Sequence, residues 1–291
     1  MNVGFVGLGI MGTPMAAHLV AAGHTVSGYD VVPESLDKLT ASGGRAASSV
    51  ADAVEGAEVV ITMLPNHPQV EHVVLGQGGV LESAKPGTLL ADMSTIRPET
   101  SLEVAKAAQE KGIRVLDAPV SGGEAGAKQA ALSIMVGGEQ ADFEVVLPLF
   151  EALGKTIVHV GPHGAGQVVK AANQLVVGGI YALVSEAIVL MEGSGVDAGT
   201  GLDVLAGGLA ANRILDLKRE SMVQRRFEPG FRIDLHHKDM SIAIAAARQA
   251  EVSLPMTGLV AQLIASARAM GHGSLDHSAL LKVTEQLSGR A

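Results

Sequence analysis

The chain has 291 residues, 47 % hydrophobic and 18 % charged, which predicts a globular protein of two domains. Its formal net charge of −9, with 2 % aromatic residues and no tryptophan, excludes the basic stripe and stacking surface of a nucleic-acid binder. Cysteine is absent, no signal peptide is apparent and no apolar run reaches membrane-spanning length, so we expect a cytoplasmic protein without disulfide bonds or a membrane span.

The first half of the chain alternates short apolar runs with helical patterns. Pro33 and Pro98 each stand where a helix would begin, and Gly112 stands where the second of these helices would end. Such alternation predicts an α/β, doubly wound sheet of the Rossmann type, largely parallel and covered by helices on both faces. We predict strands at 2–7, 25–30, 58–64, 88–93, 114–119, 132–138 and 156–160.

After residue 161 the pattern becomes helical throughout. The stretch from Gln167 to Met191 is rich in alanine, valine and leucine, which predicts a long helix buried on most sides. We therefore expect an α/β domain over 1–161 and an all-α second domain over 162–291. Further helices are predicted at 199–208, 233–251, 255–270 and 276–288, the last with Asp276 as its N-cap.

The first predicted strand runs into a glycine-rich turn that opens a helix. Three glycines alone fit an ordinary strand–helix corner equally well, but Asp30 ends the next strand about 20 residues later, where a carboxylate binds the ribose hydroxyls of a dinucleotide. In that interpretation Gly7 makes the turn, Gly9 lets the backbone approach the pyrophosphate and Gly12 allows close packing of the helix. The predicted cofactor site comprises Gly7, Leu8, Gly9, Ile10, Met11, Gly12 and Asp30.

Asp30 also bears on the choice of cofactor. Its carboxylate would repel the 2′-phosphate of NADP, and the following Val31 and Val32 offer no guanidinium to accept one. The sequence therefore favours NAD. An arginine from elsewhere in the chain, such as Arg45, would accept a 2′-phosphate, so NADP stays the alternative.

Three polar loops follow strands of the predicted sheet. Ligands of an open parallel sheet bind beyond the carboxyl ends of its strands. Any one of these loops alone is more simply explained as a polar loop that closes the sheet, but the three together favour a ligand-binding site. They are 63–68, 93–98 with the hydroxyls of Ser94 and Thr95, and 117–127, in which Ser121, Gly122 and Gly123 form a turn able to cradle a carboxylate.

Lys170 stands out in the second half because its surroundings are uncharged. Asn173 and Gln174 lie on the same face of its helix. A lysine in apolar surroundings has a lowered pKa and suits proton transfer, although a lysine that extends to solvent from a helix start is the simpler interpretation of the position alone. The adjacent His236 and His237 would point about 100° apart on a helix, so we expect no metal site there.

Together these motifs resemble the β-hydroxyacid dehydrogenase family, of the 3-hydroxyisobutyrate dehydrogenase type. The resemblance covers nearly the whole chain and several motifs in order, and within the family it is greatest to the tartronate semialdehyde reductase (2-hydroxy-3-oxopropionate reductase) branch. That branch often carries arginine after the acidic residue of the second strand, where this chain has Val31. The motifs are GFVGLGIMGTPMAAHL, ITMLPN at 61–66, DMSTI at 92–96, DAPVSGGEAGA at 117–127, GAGQVVKAANQ at 164–174, GGLAANRILDLK at 207–218, FRIDLHHKDM at 231–240 and DHSAL at 276–280.

The resemblance implies hydride transfer between NAD(P)H and a short-chain 3-oxo or 3-hydroxy acid in a homo-oligomer, dimer or tetramer. Reduction of tartronate semialdehyde to glycerate is the favoured reaction. A 3-hydroxyisobutyrate or related dehydrogenase is one alternative, and a non-catalytic dinucleotide-binding scaffold is another. The resemblance implies that Lys170 is the catalytic lysine, that Ser121, Gly122, Gly123, Asn173 and Lys238 bind the substrate, and that Met63, Leu64, Pro65, Asn66, Thr95 and Lys238 contact the cofactor.

Overall fold

The computed structural model describes residues 1–290, which divide into two compact units. The first comprises Met1–Lys170 and the second begins at Ala171. Each unit has its own hydrophobic core. The division after residue 161 that the sequence pattern suggests stays a prediction.

The first unit is a nine-stranded sheet with its helices, and every strand predicted from the sequence is present. Helices begin at Pro33 and Pro98 as expected, and Gly112 follows the second of them with a positive φ of 66°. The strands are β1 Asn2–Val6, β2 Thr25–Tyr29, β3 Arg45–Ala46, β4 Val59–Thr62, β5 Leu89–Asp92, β6 Arg114–Asp117, β7 Val120–Ser121, β8 Leu132–Gly138 and β9 Gly154–Gly161. The helices are α1 Gly12–Ala21, α2 Pro33–Ala41, α3 Val50–Val54, α4 His67–Val70, α5 Val80–Ser83, α6 Pro98–Glu110, α7 Gly123–Lys128 and α8 Gln140–Glu151.

The strand order is β3-β2-β1-β4-β5-β6-β8-β7, with β9 paired to β8. All pairings are parallel except β6 with β8 and β7 with β8. In register, Val6 lies beside Thr62, Thr62 beside Asp92, and Asp92 beside Asp117. The carboxyl ends of β1, β4, β5 and β6 therefore meet at one edge of the sheet, where the predicted loops begin.

The strands are apolar throughout because both faces of the sheet are buried. Ile61 and Leu89 belong to one hydrophobic cluster, whereas Val60 and Leu90, their chain neighbours, belong to another. Successive side chains of a strand point to opposite faces, so these two clusters form the two layers between sheet and helices. This arrangement confirms the predicted doubly wound sheet.

The second unit is helical, as predicted. The sequence missed α11 because only Leu215 and Met222 of that helix are buried, which leaves too narrow an apolar stripe for periodicity to reveal. Asp276 is confirmed as an N-cap, since its carboxylate accepts a hydrogen bond from the amide of Ser278 at 3.1 Å. The helices are α9 Ala165–Gly193, which starts in the first unit, α10 Ala198–Ala206, α11 Arg213–Val223, α12 Ile233–Gln249, α13 Pro255–Ala267 and α14 Leu280–Leu287.

Within this one chain, helix α9 is less buried than its sequence suggests. Val176, Leu183 and Leu190 are exposed, and less than half of its most apolar stretch is buried. Its length and composition would suit a membrane span, but core helices of soluble proteins have the same properties. Apolar periodicity cannot distinguish a fully buried helix from one with an apolar outer face.

Candidate active site

The glycine-rich turn after β1 packs so closely that two of its positions exclude a side chain. Gly7 has a φ of 99°, and a Cβ atom there would overlap the carbonyl oxygen of Met63. A Cβ on Gly12 would overlap the carbonyl oxygen of Gly7. At Gly9, in contrast, a Cβ would meet no atom within 4 Å. The turn is therefore closed on the protein side and open above Gly9, which fits a dinucleotide pyrophosphate lying against the start of α1.

Asp30 braces this turn at the end of β2. Its carboxylate accepts hydrogen bonds from the amide of Leu8 at 2.6 Å and from the amide of Val32 at 2.8 Å. A carboxylate has about four acceptor positions, so acceptor capacity remains for ribose hydroxyls. The next side chain, Val31, is 83 % exposed and carries no charge toward the position of a 2′-phosphate.

Arg45, the residue that would have favoured NADP, is engaged elsewhere. Its guanidinium contacts the Asp52 carboxylate at 2.6 Å, the Asp52 carbonyl at 2.7 Å and the Ser27 hydroxyl at 3.0 Å. Hydrogen bonds from the Ser48 amide, from Arg45 and from the Ser48 hydroxyl lower the pKa of Asp52 to about 2. Arg45 is therefore held by a carboxylate that stays ionised at neutral pH.

The loop after β4 is tied to the strands on either side. The amide of Met63 donates to the carbonyl of Val6 at 2.9 Å, and the amide of Leu64 donates to the hydroxyl of Ser94 at 2.8 Å. Pro65 is exposed, and the Asn66 side chain caps α4. Ser94 is fully buried by this contact, so its hydroxyl is structural and is not offered to a ligand. Its neighbour Thr95 is only half-buried.

The turn at Ser121, Gly122 and Gly123 leaves the short strand β7. Gly122 and Gly123 have φ angles of 132° and 59°, and α7 begins at Gly123. Amide groups of successive residues in such a turn can converge on an anion. The Ser121 side chain is partly exposed beside them.

Lys170 is brought to the strand ends by the first turns of α9. Both carboxylate oxygens of Asp117, the last residue of β6, accept amides at the start of this helix, from Gly164 at 2.8 Å and from Gln167 at 2.9 Å. The Gln167 side chain donates to the Ser94 carbonyl at 2.8 Å and accepts the Ile96 amide at 3.1 Å. Lys170 follows three residues later and is only 6 % exposed. The sequence missed the roles of Asp117 and Gln167 because their partners are 47 to 73 residues away.

Burial dominates the electrostatics of Asp117. It raises the pKa of this carboxyl to about 6, with a smaller increase from the charge of Asp92, although the amides of Gly164 and Gln167 oppose the shift. Asp92 itself accepts the hydroxyl of Thr62 at 2.7 Å. Two carboxylates thus lie side by side beneath the candidate site, on adjacent strands.

In the second unit, Asn173 and Lys238 are linked through two further buried residues. The Asn173 amide donates to Gln174 Oε1 at 2.7 Å, Gln174 Nε2 donates to Asp239 Oδ2 at 2.5 Å, and Lys238 Nζ lies 3.0 Å from Asp239 Oδ1. This polar chain joins α9 to α12 within that unit. The predicted approach of Lys238 to cofactor and substrate stays a prediction.

His236 and His237 diverge on α12, as the helical geometry requires. His236 is buried, with Nε2 at 3.1 Å from the carbonyl of Gln174 and Nδ1 at 3.1 Å from Nδ1 of His277. Within residues 1–290, no group of three or more histidine, aspartate or glutamate side chains is arranged to hold a metal ion.

The parallel sheet with its glycine turn and acidic strand end defines a dinucleotide-binding protein of the Rossmann type. Residues 2–161 match the family described as the NAD binding domain of 6-phosphogluconate dehydrogenase, and residues 164–284 match the NAD-binding domain of NADP-dependent 3-hydroxyisobutyrate dehydrogenase. The chain belongs to the β-hydroxyacid dehydrogenase family, of the 3-hydroxyisobutyrate dehydrogenase type.

Relatives within the family act on different hydroxy acids, by their names. The chain is 42 % identical to 2-hydroxy-3-oxopropionate reductase of Escherichia coli K12, over 99 % of this chain and 98 % of that protein. It is 38 % identical to 3-hydroxyisobutyrate dehydrogenase of Pseudomonas aeruginosa, over 97 % and 98 %. The structure of 3-hydroxyisobutyrate dehydrogenase from Mycobacterium tuberculosis with L-serine superposes with a TM-score of 0.88 at 36 % identity, covering 97 % of this chain and 98 % of that one. The chain is thus an NAD(P)-dependent hydroxy-acid dehydrogenase, and the alternative of a non-catalytic scaffold is not supported.

Proposed function

We propose that this enzyme reduces tartronate semialdehyde to glycerate with NADH, and that Lys170 is the general acid. The observation that carries the proposal is the buried Lys170, whose helix is fastened to the ends of β5 and β6 beside the loops that hold Thr95 and Ser121. Lys170 is thus buried in the same unit as these two loops, at the end of the segment that is tied to them.

The reaction requires a proton donor at the substrate oxygen. When bound, the reduced cofactor supplies a hydride to the aldehyde carbon of the substrate. Negative charge then develops on the carbonyl oxygen, where the Lys170 ammonium stabilises it and transfers a proton to form the hydroxyl. In the oxidative direction the neutral amine of Lys170 accepts the hydroxyl proton instead.

Orientation of the substrate falls to the turn after β7. We expect amides of Ser121, Gly122 and Gly123, with Asn173 and Lys238, to bind the carboxylate of the substrate. Fixing the carboxylate holds the aldehyde carbon at a constant position relative to Lys170, which lowers the entropic barrier to reaction. We assign Met63, Leu64, Pro65 and Thr95 to the nicotinamide half of the cofactor, and Asn66 to cofactor binding.

The test of the chemical role is substitution of Lys170 by alanine. We expect Lys170→Ala to lose turnover by at least about 100-fold, the low end of general acid–base contributions, while NADH binds as before. Lys155→Ala is the matched control, because Lys155 is an exposed lysine on β9. A kcat for Lys170→Ala within a few-fold of the wild type would refute the assignment.

The relatives support this choice of substrate. The 42 % identity to 2-hydroxy-3-oxopropionate reductase favours tartronate semialdehyde, and the 38 % identity to a 3-hydroxyisobutyrate dehydrogenase supports 3-hydroxyisobutyrate as the second candidate. Glycerate, the product of tartronate semialdehyde reduction, and 3-hydroxyisobutyrate differ at C2 by a hydroxyl against a methyl group, which an enzyme separates strongly only when a polar group faces that position. Comparison of kcat/KM for glycerate and 3-hydroxyisobutyrate, each with NAD and NADP, decides between them.

We further propose that NAD is preferred over NADP. Asp30 would repel a 2′-phosphate, Val31 is exposed and uncharged, and Arg45 is held by Asp52. A kcat/KM for NADPH equal to or above that for NADH would refute this preference.

We also propose that the enzyme is a cytoplasmic homo-oligomer that associates through its helical unit. Helices α9 and α13 flank a cavity of about 300 Å³ lined by apolar side chains that include the exposed Leu183, Met256 and Leu259. Contiguous exposed apolar surface of this kind is typical of a subunit interface. Light scattering of wild type and Leu183→Lys tests this, and a monomeric wild-type protein would refute it.

A further inference from the structure

We propose that Asp117 and Gln167 are positioning residues that hold Lys170 in its reactive place, and we call these two side chains the α9 latch. The inference rests on the proposed function, since it assumes that Lys170 transfers the proton. Neither side chain is assigned to substrate or cofactor. Each acts by fixing the start of the helix that carries Lys170.

The first half of the α9 latch is a buried carboxylate at a helix N-terminus. Asp117 is 1 % exposed, and its two oxygens accept the amides of Gly164 and Gln167 at 2.8 and 2.9 Å. Helix α9 has 29 residues, and the partial positive charge at its N-terminus favours an ionised carboxylate. Asp117 is also four residues before Ser121, so one residue joins the predicted carboxylate-binding loop to the lysine helix.

The second half is the amide side chain of Gln167, which is itself buried at 1 % exposure. It uses both ends, donating to the Ser94 carbonyl and accepting the Ile96 amide, so it brackets Thr95. Ser94 in turn accepts the amide of Leu64. Three segments assigned to cofactor and substrate are thereby fastened to the first turn of α9.

Asp117 and Gln167 fix the position of Lys170 because only a short stretch of helix separates Lys170 from Gln167. Lys170 lies three residues, less than one helical turn, after Gln167. A rotation or shift of the helix start is therefore carried to the lysine with little attenuation. A misplacement of about 1 Å at a reacting group lowers the rate about 100-fold, so a weakened latch should reduce turnover before it affects cofactor binding.

The latch also has a defined pH dependence. The charged group that acts on Asp117 is Asp92, its neighbour on β5, and β8 packs Gly137 against the Asp117 carboxylate. Burial raises the pKa of Asp117 to about 6. Above that pH both oxygens accept amides, and below it one oxygen carries a proton that competes with an amide hydrogen.

Stability and turnover should respond to this protonation with opposite signs. A carboxyl whose pKa is raised by folding binds more protons in the folded state, so this group stabilises the protein as the pH falls from about 6 toward 4. The latch predicts that turnover falls over the same range. A purely structural carboxylate would not produce loss of kcat together with gain in stability.

The experiment compares Asp117→Asn and Gln167→Met with Asp142→Asn, a control that removes another largely buried carboxylate, on α8, paired with Arg114. We expect both latch variants to lower kcat by about 10- to 100-fold, with the dissociation constant for NADH unchanged within about twofold. The acid limb of kcat near pH 6 should be present in the wild type and in Asp142→Asn and absent in Asp117→Asn. If Asp117→Asn does not fold, Gln167→Met and the wild-type pH profile still decide.

Failure of the latch is distinguishable from failure of the proposed function. Wild-type kcat and an unchanged pH profile in the latch variants, together with an inactive Lys170→Ala, would overturn the latch alone. Turnover by Lys170→Ala would overturn the proposed function instead. Equal losses of kcat and thermal stability in the latch variants and in Asp142→Asn would reduce the latch to general destabilisation and overturn it.

Discussion

Replacement of Asp276 by asparagine should strongly destabilise the helical unit. The Asp276 carboxylate is 1 % exposed and accepts hydrogen bonds from the amides of Gly230 at 2.8 Å, Phe231 at 3.1 Å and Ser278 at 3.1 Å. It also accepts the Ser278 hydroxyl at 2.6 Å and pairs with Lys218 at 2.9 Å. Breaking a buried pair costs about 3–5 kcal/mol; Lys218 is 25 % exposed and can regain water, so we expect about 3 kcal/mol.

The pH dependence of this contribution has a definite sign. Burial alone would raise the pKa of Asp276, but His277, Ser278 and Lys218 outweigh it and hold the pKa at about 2, against 3.8 for the free side chain. A difference of nearly two units corresponds to about 2 kcal/mol. Because the pKa is lowered by folding, this stabilisation is complete above about pH 4 and is lost as the pH falls toward 2.

Urea denaturation followed by circular dichroism measures the effect, since the chain has no tryptophan for fluorescence. Asp197→Asn is the matched control, because Asp197 is an exposed N-cap that accepts the amide and hydroxyl of Thr200 at 2.8 Å. We expect it to lose no more than about 1 kcal/mol. A loss below 1 kcal/mol for Asp276→Asn as well would refute the reasoning.

Three further substitutions test the cofactor site. Gly12→Ala should prevent folding, because its Cβ would overlap the carbonyl oxygen of Gly7. Gly9→Ala should keep the melting temperature of the wild type, because a Cβ there meets no atom, and should bind NADH at least about tenfold more weakly by isothermal titration calorimetry. Equal thermal stability of the two variants would contradict this. Val31→Arg places a guanidinium at an exposed position beside Asp30. It should raise the ratio of kcat/KM for NADPH to that for NADH by about tenfold, the contribution of one charge-assisted hydrogen bond. An unchanged ratio would exclude Val31 from the ribose site.

The parts of the site that were predictable are those with local signals. Gly7 and Gly12 are fixed by a turn of six residues, and Asp30 ends the strand that pairs with β1, so spacing along the chain was enough to find them. Asp276 was likewise recognisable as an N-cap because a cap acts on amides that follow it directly.

The rest depended on contacts between distant segments. Asp117 and Gln167 are ordinary polar residues in sequence, and only the fold shows that one caps the helix of Lys170 and the other brackets Thr95. Ser94 misled for the same reason, since its buried hydroxyl accepts the amide of Leu64, thirty residues away. The strands β3 and β7 have two residues each, too few to show the alternation of apolar and polar residues that predicts a strand.

Charge poses a final constraint, because a protein with a net charge of −9 binds an anionic cofactor and a carboxylate. In the proposed site, backbone amides at the glycine turn and at Ser121–Gly123, with Lys170, would supply the attraction locally, over distances far shorter than the Debye length of about 8 Å at physiological salt. Added salt should leave these short contacts intact while it screens the long-range repulsion between protein and cofactor. We therefore expect the KM for NADH to stay constant or fall slightly as potassium chloride is added. A KM that rises steeply with salt would show instead that exposed lysines and arginines attract the cofactor, and would refute a site built on backbone amides.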